Sequence, residues 1–136
     1  MKEKWPDDRF EKVVSAGGLR GRRLVEGPLV VLSFEGTLAS GDAGVAFQDL
    51  LVEAHVRPET RALAVDLRWV HYLPSKTVPW LVSAAARLAG RGGRLVVLTT
   101  GPTMERLVKV LGAPDAFAIA PDPERARFLL AEAMEG

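Results

Sequence analysis

Two histidines, His55 and His71, and no cysteine bound the chemistry this chain can carry. Without cysteine there is no thiolate nucleophile, disulfide or thiolate zinc site. Two distant imidazoles are too few for a histidine-rich metal centre. His71 follows an apolar run and could act as a base, but a lone loop imidazole is expected to be a solvated surface group. His55 falls at a helix end, where a protonated ring would complement the dipole. Asp66 is the one charge in the apolar run Ala62–Leu67 and is expected to face outward or end the strand. No serine lies in a Gly-x-Ser-x-Gly elbow. The clusters Gly17-Gly18-Leu19-Arg20-Gly21 and Gly90-Arg91-Gly92-Gly93 lead into strands, whereas a dinucleotide loop must leave a strand and open a helix. These residues point away from an enzyme, and no cofactor or metal is expected.

The most distinctive stretch runs from Trp69 to Trp80. It holds two of the three tryptophans and the only tyrosine, Tyr72. Exposed aromatics with a hydroxyl and a cation between them suit a protein partner. The opposing expectation is that part of the set packs beneath the loop. Ser75 lies near the start of the next helix, where backbone N–H groups and the dipole favour an anion. A phosphate on Ser75 would gain from that position and from Lys76. Pro79 would remove a donor from a helix starting at Ser75, so the regular helix is expected to begin nearer Thr77.

The elements that must position these residues follow from periodicity. Leu19–Val25 and Leu29–Phe34 read as strands of a hairpin, joined by the turn Glu26-Gly27-Pro28. Leu29-Val30-Val31-Leu32 is continuously apolar, as in a strand covered on both faces. After a small polar loop, Asp42 reads as an N-cap, and Val45, Ala46, Leu50, Leu51 and Ala54 follow at helical spacing up to Pro58. Ala62–Leu67 reads as a strand, Trp69–Thr77 as a loop and Val78–Leu88 as a helix closed by Gly90. Arg94–Thr99 is a further strand, and Pro102 opens a helix lined by Leu107, Val108 and Leu111. Ala116–Ala120 is a short strand, and Asp122 caps a last helix. The alternation predicts an α/β fold: a mixed, largely parallel sheet of four to five strands with about four helices and an N-terminal β-hairpin.

With 136 residues, 48% apolar and 26% charged, the chain fits one domain. Residues 1–18, charged and ending in Ala16-Gly17-Gly18, read as an N-terminal extension, partly helical and either loose or docked; residues 19–136 form the domain. The aromatic segment around Trp5 could serve a homodimer contact. A formal net charge of +1 excludes an electrostatic profile dominated by nucleic acid or an anionic membrane. No apolar run is long enough to span a bilayer, and the polar start is unlike a signal peptide. A cytoplasmic location is expected.

The order of elements and several phrases resemble the STAS domain of anti-sigma factor antagonists, over about Leu29–Ala133. Leu63-Ala-Val-Asp-Leu-Arg-Trp-Val-His-Tyr-Leu-Pro74 is similar to the family's "LVLDLSGVTFID". Gly92-Gly-Arg-Leu-Val-Val-Leu-Thr-Thr-Gly-Pro102 is similar to its "GGRLVL" and Pro-bearing turn. Val108-Lys-Val-Leu-Gly-Ala-Pro-Asp-Ala-Phe117 resembles its helix-to-strand ending. The phrase Gly36-Thr37-Leu38-Ala39 stands where the family has "ELD", with Ala39 in place of the acid. The family's D-S-S-G motif, whose first serine is phosphorylated by a kinase that doubles as the anti-sigma factor, falls on Pro74-Ser75-Lys76-Thr77, where only Ser75 is retained.

The resemblance implies a non-enzymatic partner-binding domain in bacterial regulation. Its expected surface comprises His71, Tyr72, Pro74, Ser75, Lys76, Thr77 and Trp80, helped by Thr37, Ala39, Ser40 and Asp42. The implied partner is an anti-sigma factor or serine kinase-like protein, with Ser75 as the candidate phosphorylation site. The alternative is a constitutive adaptor contacting a transporter ATPase subunit, since STAS-like domains also accompany transporters. Nucleotide binding, known for some relatives, is weakened by the missing glycine-rich loop.

Overall fold

A computed structural model describes residues 5–112 and 115–135. The polar start of the chain and the Ala113-Pro114 step of the helix-to-strand phrase lie outside the described residues. The elements are a 3-10 turn at Asp7–Arg9, β1 (Lys12–Ala16), β2 (Leu19–Glu26), β3 (Leu29–Thr37), α1 (Gly41–Val56), β4 (Ala62–Tyr72), α2 (Thr77–Ala89), β5 (Arg94–Leu98), α3 (Thr103–Val110), β6 (Ala118–Ala120) and α4 (Pro123–Glu135).

They build one six-stranded sheet in the order β1-β2-β3-β4-β5-β6. β1, β2 and β3 are antiparallel neighbours, and β3 to β6 run parallel. The expected hairpin is β2–β3. Because the parallel strands advance steadily in one direction, crossovers of one hand place their connecting helices on one face. That face holds the larger core, in which Leu32, Phe34, Leu63 and Val65 meet Phe47, Leu50, Leu81, Leu88 and Met104. The other face packs Leu29, Val31, Ala64, Val96 and Leu98 against Ala126 and Leu130 of α4 and against Trp5. Every residue from Leu29 to Phe34 is buried, which explains the unbroken apolar run. Each fully buried leucine or phenylalanine there contributes about 1.5–3 kcal/mol.

The sheet has more strands than the four to five expected. The added strand, β1, lies within the charged N-terminal segment, which docks on the domain. Its alternating burial comes from one face lying under α1 and the other facing solvent. Trp5 is buried, and its indole Nε1–H donates to Asp66 Oδ2 at 3.1 Å. The ring therefore lies inside its own chain rather than on an open surface.

Asp66 is also corrected: it is fully buried rather than outward or terminal. Its carboxylate accepts from Arg68 N, Nε and Nη2 at 3.1, 3.0 and 2.8 Å. A carboxylate can enter an apolar run when four donors meet its oxygens. His55 differs from expectation too. It is buried at the end of α1, and burial, then Arg87 and then Arg91, hold its pKa below the usual imidazole value. The ring is thus biased toward neutrality, and the dipole does not decide its charge.

Candidate functional site

The candidate site is built by two strands that outrun the rest of the sheet. β3 and β4 remain paired beyond Ser33↔Asp66, through Glu35↔Trp69 and Gly36↔Val70 to Thr37↔Tyr72. The register shifts between Ser33 and Glu35 and again between Gly36 and Thr37, giving local bulges that re-aim side chains. The pairing ends with Leu38 N–H donating to the Tyr72 carbonyl at 3.2 Å. The stretch Trp69–Tyr72, expected to be loop, is therefore strand. Continued pairing with the tail of β3 outweighs the turn signal that Pro74 supplies only later.

Gly36 makes this pairing possible. Its φ is +106°, and a Cβ there would overlap the Gly18 carbonyl. Thr37 N–H instead donates to that carbonyl at 3.2 Å. Ser40 then caps α1, its Oγ accepting from Ala43 N–H at 3.0 Å and donating to the Gly17 carbonyl at 3.2 Å. The cap is Ser40 rather than Asp42, because Gly41 already begins the helix; Asp42 lies exposed in the first turn, where its charge suits the dipole.

After β4 the chain turns through Pro74 and Ser75. Thr77 N–H donates to the Pro74 carbonyl at 3.0 Å and Val78 N–H to the Ser75 carbonyl at 3.1 Å. The regular helix begins at Thr77, as expected from Pro79, and no side chain caps it. Ser75 and Lys76 are exposed and Pro74 is half-buried. Trp80 packs inward, 5.9 Å from the Phe47 ring, which itself lies 4.7 Å from Phe34. Lys76 Nζ stands 5.9 Å from the Trp80 centroid, within cation–π range.

The expected residues thus divide by environment. The pairing of Thr37 with Tyr72 leaves Ala39 and Asp42, which follow β3, and Pro74, Ser75 and Lys76, which follow β4, at the same end of the sheet. Tyr72 presents more than half its surface, 54%. Thr77 is corrected: it is fully buried and reaches no partner, because the first turn of α2 faces the core. Ser40 is engaged in its cap. Trp80 is half-buried beneath the Lys76 ammonium, whereas Trp69 is 56% exposed with the Arg68 guanidinium 5.2 Å from its ring. Of the three aromatics, Trp80 packs and Trp69 and Tyr72 face solvent.

His71 is exposed and lies beside Glu35, Arg68 and Trp69. A groove of about 330 Å³ separates Val70, His71 and Tyr72 from Thr99, Thr100 and Thr103 at the start of α3. Sequence reading did not single out those threonines, since only the β4–β5 adjacency brings them to the site. Among the described residues, no three His, Asp or Glu side chains cluster to hold a metal ion, and no helix is long and apolar enough to cross a membrane. The arrangement presents aromatic, hydroxyl and cationic side chains to solvent at this end of the sheet.

Comparisons with known proteins agree with this architecture. The fold is similar to an anti-sigma factor antagonist from Mycobacterium paratuberculosis, at 19% identity and a TM-score of 0.71, covering 83% of this chain and 94% of that one. It is also similar to the anti-sigma factor antagonist SpoIIAA in its unphosphorylated form, at 16% identity and a TM-score of 0.65, covering 80% and 95% of the two chains. The phosphorylated form of the Bacillus cell fate determinant SpoIIAA gives 17% identity and a TM-score of 0.63, covering 80% and 98%. No curated protein sequence matches the chain. The family model described as "Mlab, STAS domain" matches residues 27–119, which span β3 to β6, and the chain belongs to the STAS domain family.

Proposed function

We propose that this chain is a non-enzymatic protein-interaction module that binds a regulatory partner, an anti-sigma factor or serine kinase-like protein. The contact surface is the end of the sheet where Thr37, Tyr72, Ser75 and Lys76 converge, and phosphorylation of Ser75 switches it. One observation carries the reading: exposed Tyr72 at the end of β4 and exposed Ser75 and Lys76 in the turn before α2 share one short segment at this end of the sheet. An unmodified Ser75 leaves that surface close to neutral. A phosphate adds roughly −2 of charge, held locally by Lys76 and the helix N-terminus, and opposes an acidic or tightly packed partner. The likeness in fold to anti-sigma factor antagonists supports the same reading.

A second reading is a constitutive adaptor that contacts a transporter ATPase subunit. Two observations favour it: Lys76 lies over Trp80, where the family motif has a second serine, and the matching family model carries the Mlab description. Affinity capture from the source organism with wild type, Ser75→Glu and Tyr72→Ala separates the two, with phosphosite mapping of Ser75. The switch predicts that wild type alone captures a kinase-like anti-sigma factor, and that some Ser75 carries phosphate. Equal capture of one ATPase subunit by wild type and Ser75→Glu, with Ser75 unmodified, establishes the adaptor. Undiminished capture by Tyr72→Ala removes this surface from either reading.

A further inference from the structure

The two edges of the sheet are unlike. β6 is only three residues long, so it offers little to pair with. β1 is five residues long and has β2 as its single neighbour. The turn between them has Gly17 at φ +56° and Gly18 at φ +87°, the values of a two-residue hairpin turn whose flanking residues exchange both hydrogen bonds. Those residues are Ala16 and Leu19. By alternation Val14 also bonds inward to β2, while Val13 and Ser15 direct their N–H and C=O groups to the open edge.

Exposed edges are normally blunted by a proline, a bulge or a free lysine. β1 contains no proline, its register with β2 is uninterrupted, and Lys12 is held by Glu53 at 2.8 Å. Val13 on this edge is 54% exposed. Beside it, a groove of about 490 Å³ runs between β1 and α1 over Val14, Ala46 and Leu50, with Asp42 and Asp49 on its rim. Among the described residues neither carboxylate has an ion-pair partner.

We propose that a second copy of this chain covers the edge, its β1 pairing antiparallel with β1 about a two-fold axis at Val14. The strand is complementary to itself in that register. Val13 of each copy faces Ser15 of the other, so the outward groups form about four new hydrogen bonds. Val14 meets Val14 across the axis, on the face that α1 half-covers. Lys12 meets Ala16, next to Gly17, whose carbonyl is tied to Ser40 at the N-terminus of α1. On pairing, the Lys12 ammonium of one copy exchanges its own Glu53, which keeps Arg23 at 3.1 Å, for the Asp42 and Asp49 carboxylates of the other, both unpaired among the described residues. No like charges meet along the strand. The contact is isologous and closed, so it ends at a dimer.

Sedimentation equilibrium of the full chain, from micromolar to near-millimolar concentration, tests this. The apparent mass rises from 14.7 kDa toward twice that value. Ser15→Pro removes an outward donor without touching the β2 ladder and weakens association by about tenfold or more. The chain has no native cysteine, so Val14→Cys gives an unambiguous second readout. Facing non-hydrogen-bonded residues lie about 4.5 Å apart at Cα, within disulfide range, so mild oxidation cross-links Val14→Cys into a covalent dimer. Val110→Cys, at a position 81% exposed on α3, cross-links far more slowly. A constant 14.7 kDa mass overturns the proposal, even where another protein is found to pair with β1. A dimer that Ser15→Pro leaves intact, or equal cross-linking of the two cysteine variants, overturns it as well. If Ser15→Pro does not fold, the cysteine pair decides.

Discussion

Asp66→Ala is expected to be the most damaging single polar substitution in the fold. The carboxylate is fully buried, and the Arg68 side chain is only 7% exposed. Removing Asp66 leaves that guanidinium buried without its anion, and leaves the Trp5 indole N–H without an acceptor. Breaking one side of such a pair costs about 3–5 kcal/mol. For a domain of this size that lowers Tm by about 10–20 °C. The cost comes from the orphaned charge and not from a large favourable energy of the intact pair. Asp66→Ala combined with Arg68→Met is therefore expected to recover most of the loss, since an apolar replacement of a buried ion pair is often near neutral. Urea unfolding of wild type, both single variants and the double variant, analysed as a thermodynamic cycle, measures this directly. An Asp66→Ala cost below about 1 kcal/mol would refute the reasoning, as would a double variant no better than the sum of its singles.

Further expectations concern acid stability, a cap and a glycine. His55 has its pKa lowered in the folded chain, so the unfolded state binds its proton more readily. Its stabilising contribution is complete above about pH 6.5 and declines as pH falls below that value, so His55→Gln should flatten the acid limb of a stability–pH curve in this window. Ser40→Ala removes the α1 cap and the link to Gly17, costing about 1 kcal/mol by chemical denaturation. Gly36→Ala forces a Cβ into the Gly18 carbonyl at positive φ, so it is expected to destabilise by about 2 kcal/mol or more. It should also broaden the NMR resonances of Thr37 and Tyr72, whose register depends on that glycine. Tyr72→Ala, by contrast, removes an exposed side chain and should move stability by about 0.5 kcal/mol or less while changing partner capture.

How much of this was legible in the chain depended on how local the determining physics is. Apolar periodicity and turn residues are local, so β2, β3, α1, α2, β5 and α4 were readable. The start of α2 at Thr77 followed from Pro79, and the inward burial of Leu29–Leu32 from composition alone. β1 was missed because its five residues alternate weakly and its partner strand is needed to make it a strand at all. The Trp69–Tyr72 extension was missed for the same reason, since its hydrogen bonds go to Glu35–Thr37, more than thirty residues earlier. Asp66 was misjudged because Arg68, two residues on, folds back onto its carboxylate, and because its remaining donor, Trp5, arrives only when the N-terminal segment lies across the sheet.

The candidate site shows the same division. Residue types marked Trp69–Trp80 and Ser75 as the stretch able to meet a partner, because aromatics, a hydroxyl and a cation at a strand end are visible without a fold. Sequence alone also removed cysteine chemistry and a dinucleotide loop. Which of those side chains face solvent was a tertiary decision. Thr77 and Trp80 turned inward because Phe47 and the core behind α2 claim their surface. Trp69 and Tyr72 stayed outside because strand pairing fixes their backbone beyond the last helix that could cover them. Identity and spacing determine what chemistry a segment can offer, whereas exposure, register and neighbours depend on contacts between segments far apart in the chain, and only the folded sheet supplies them.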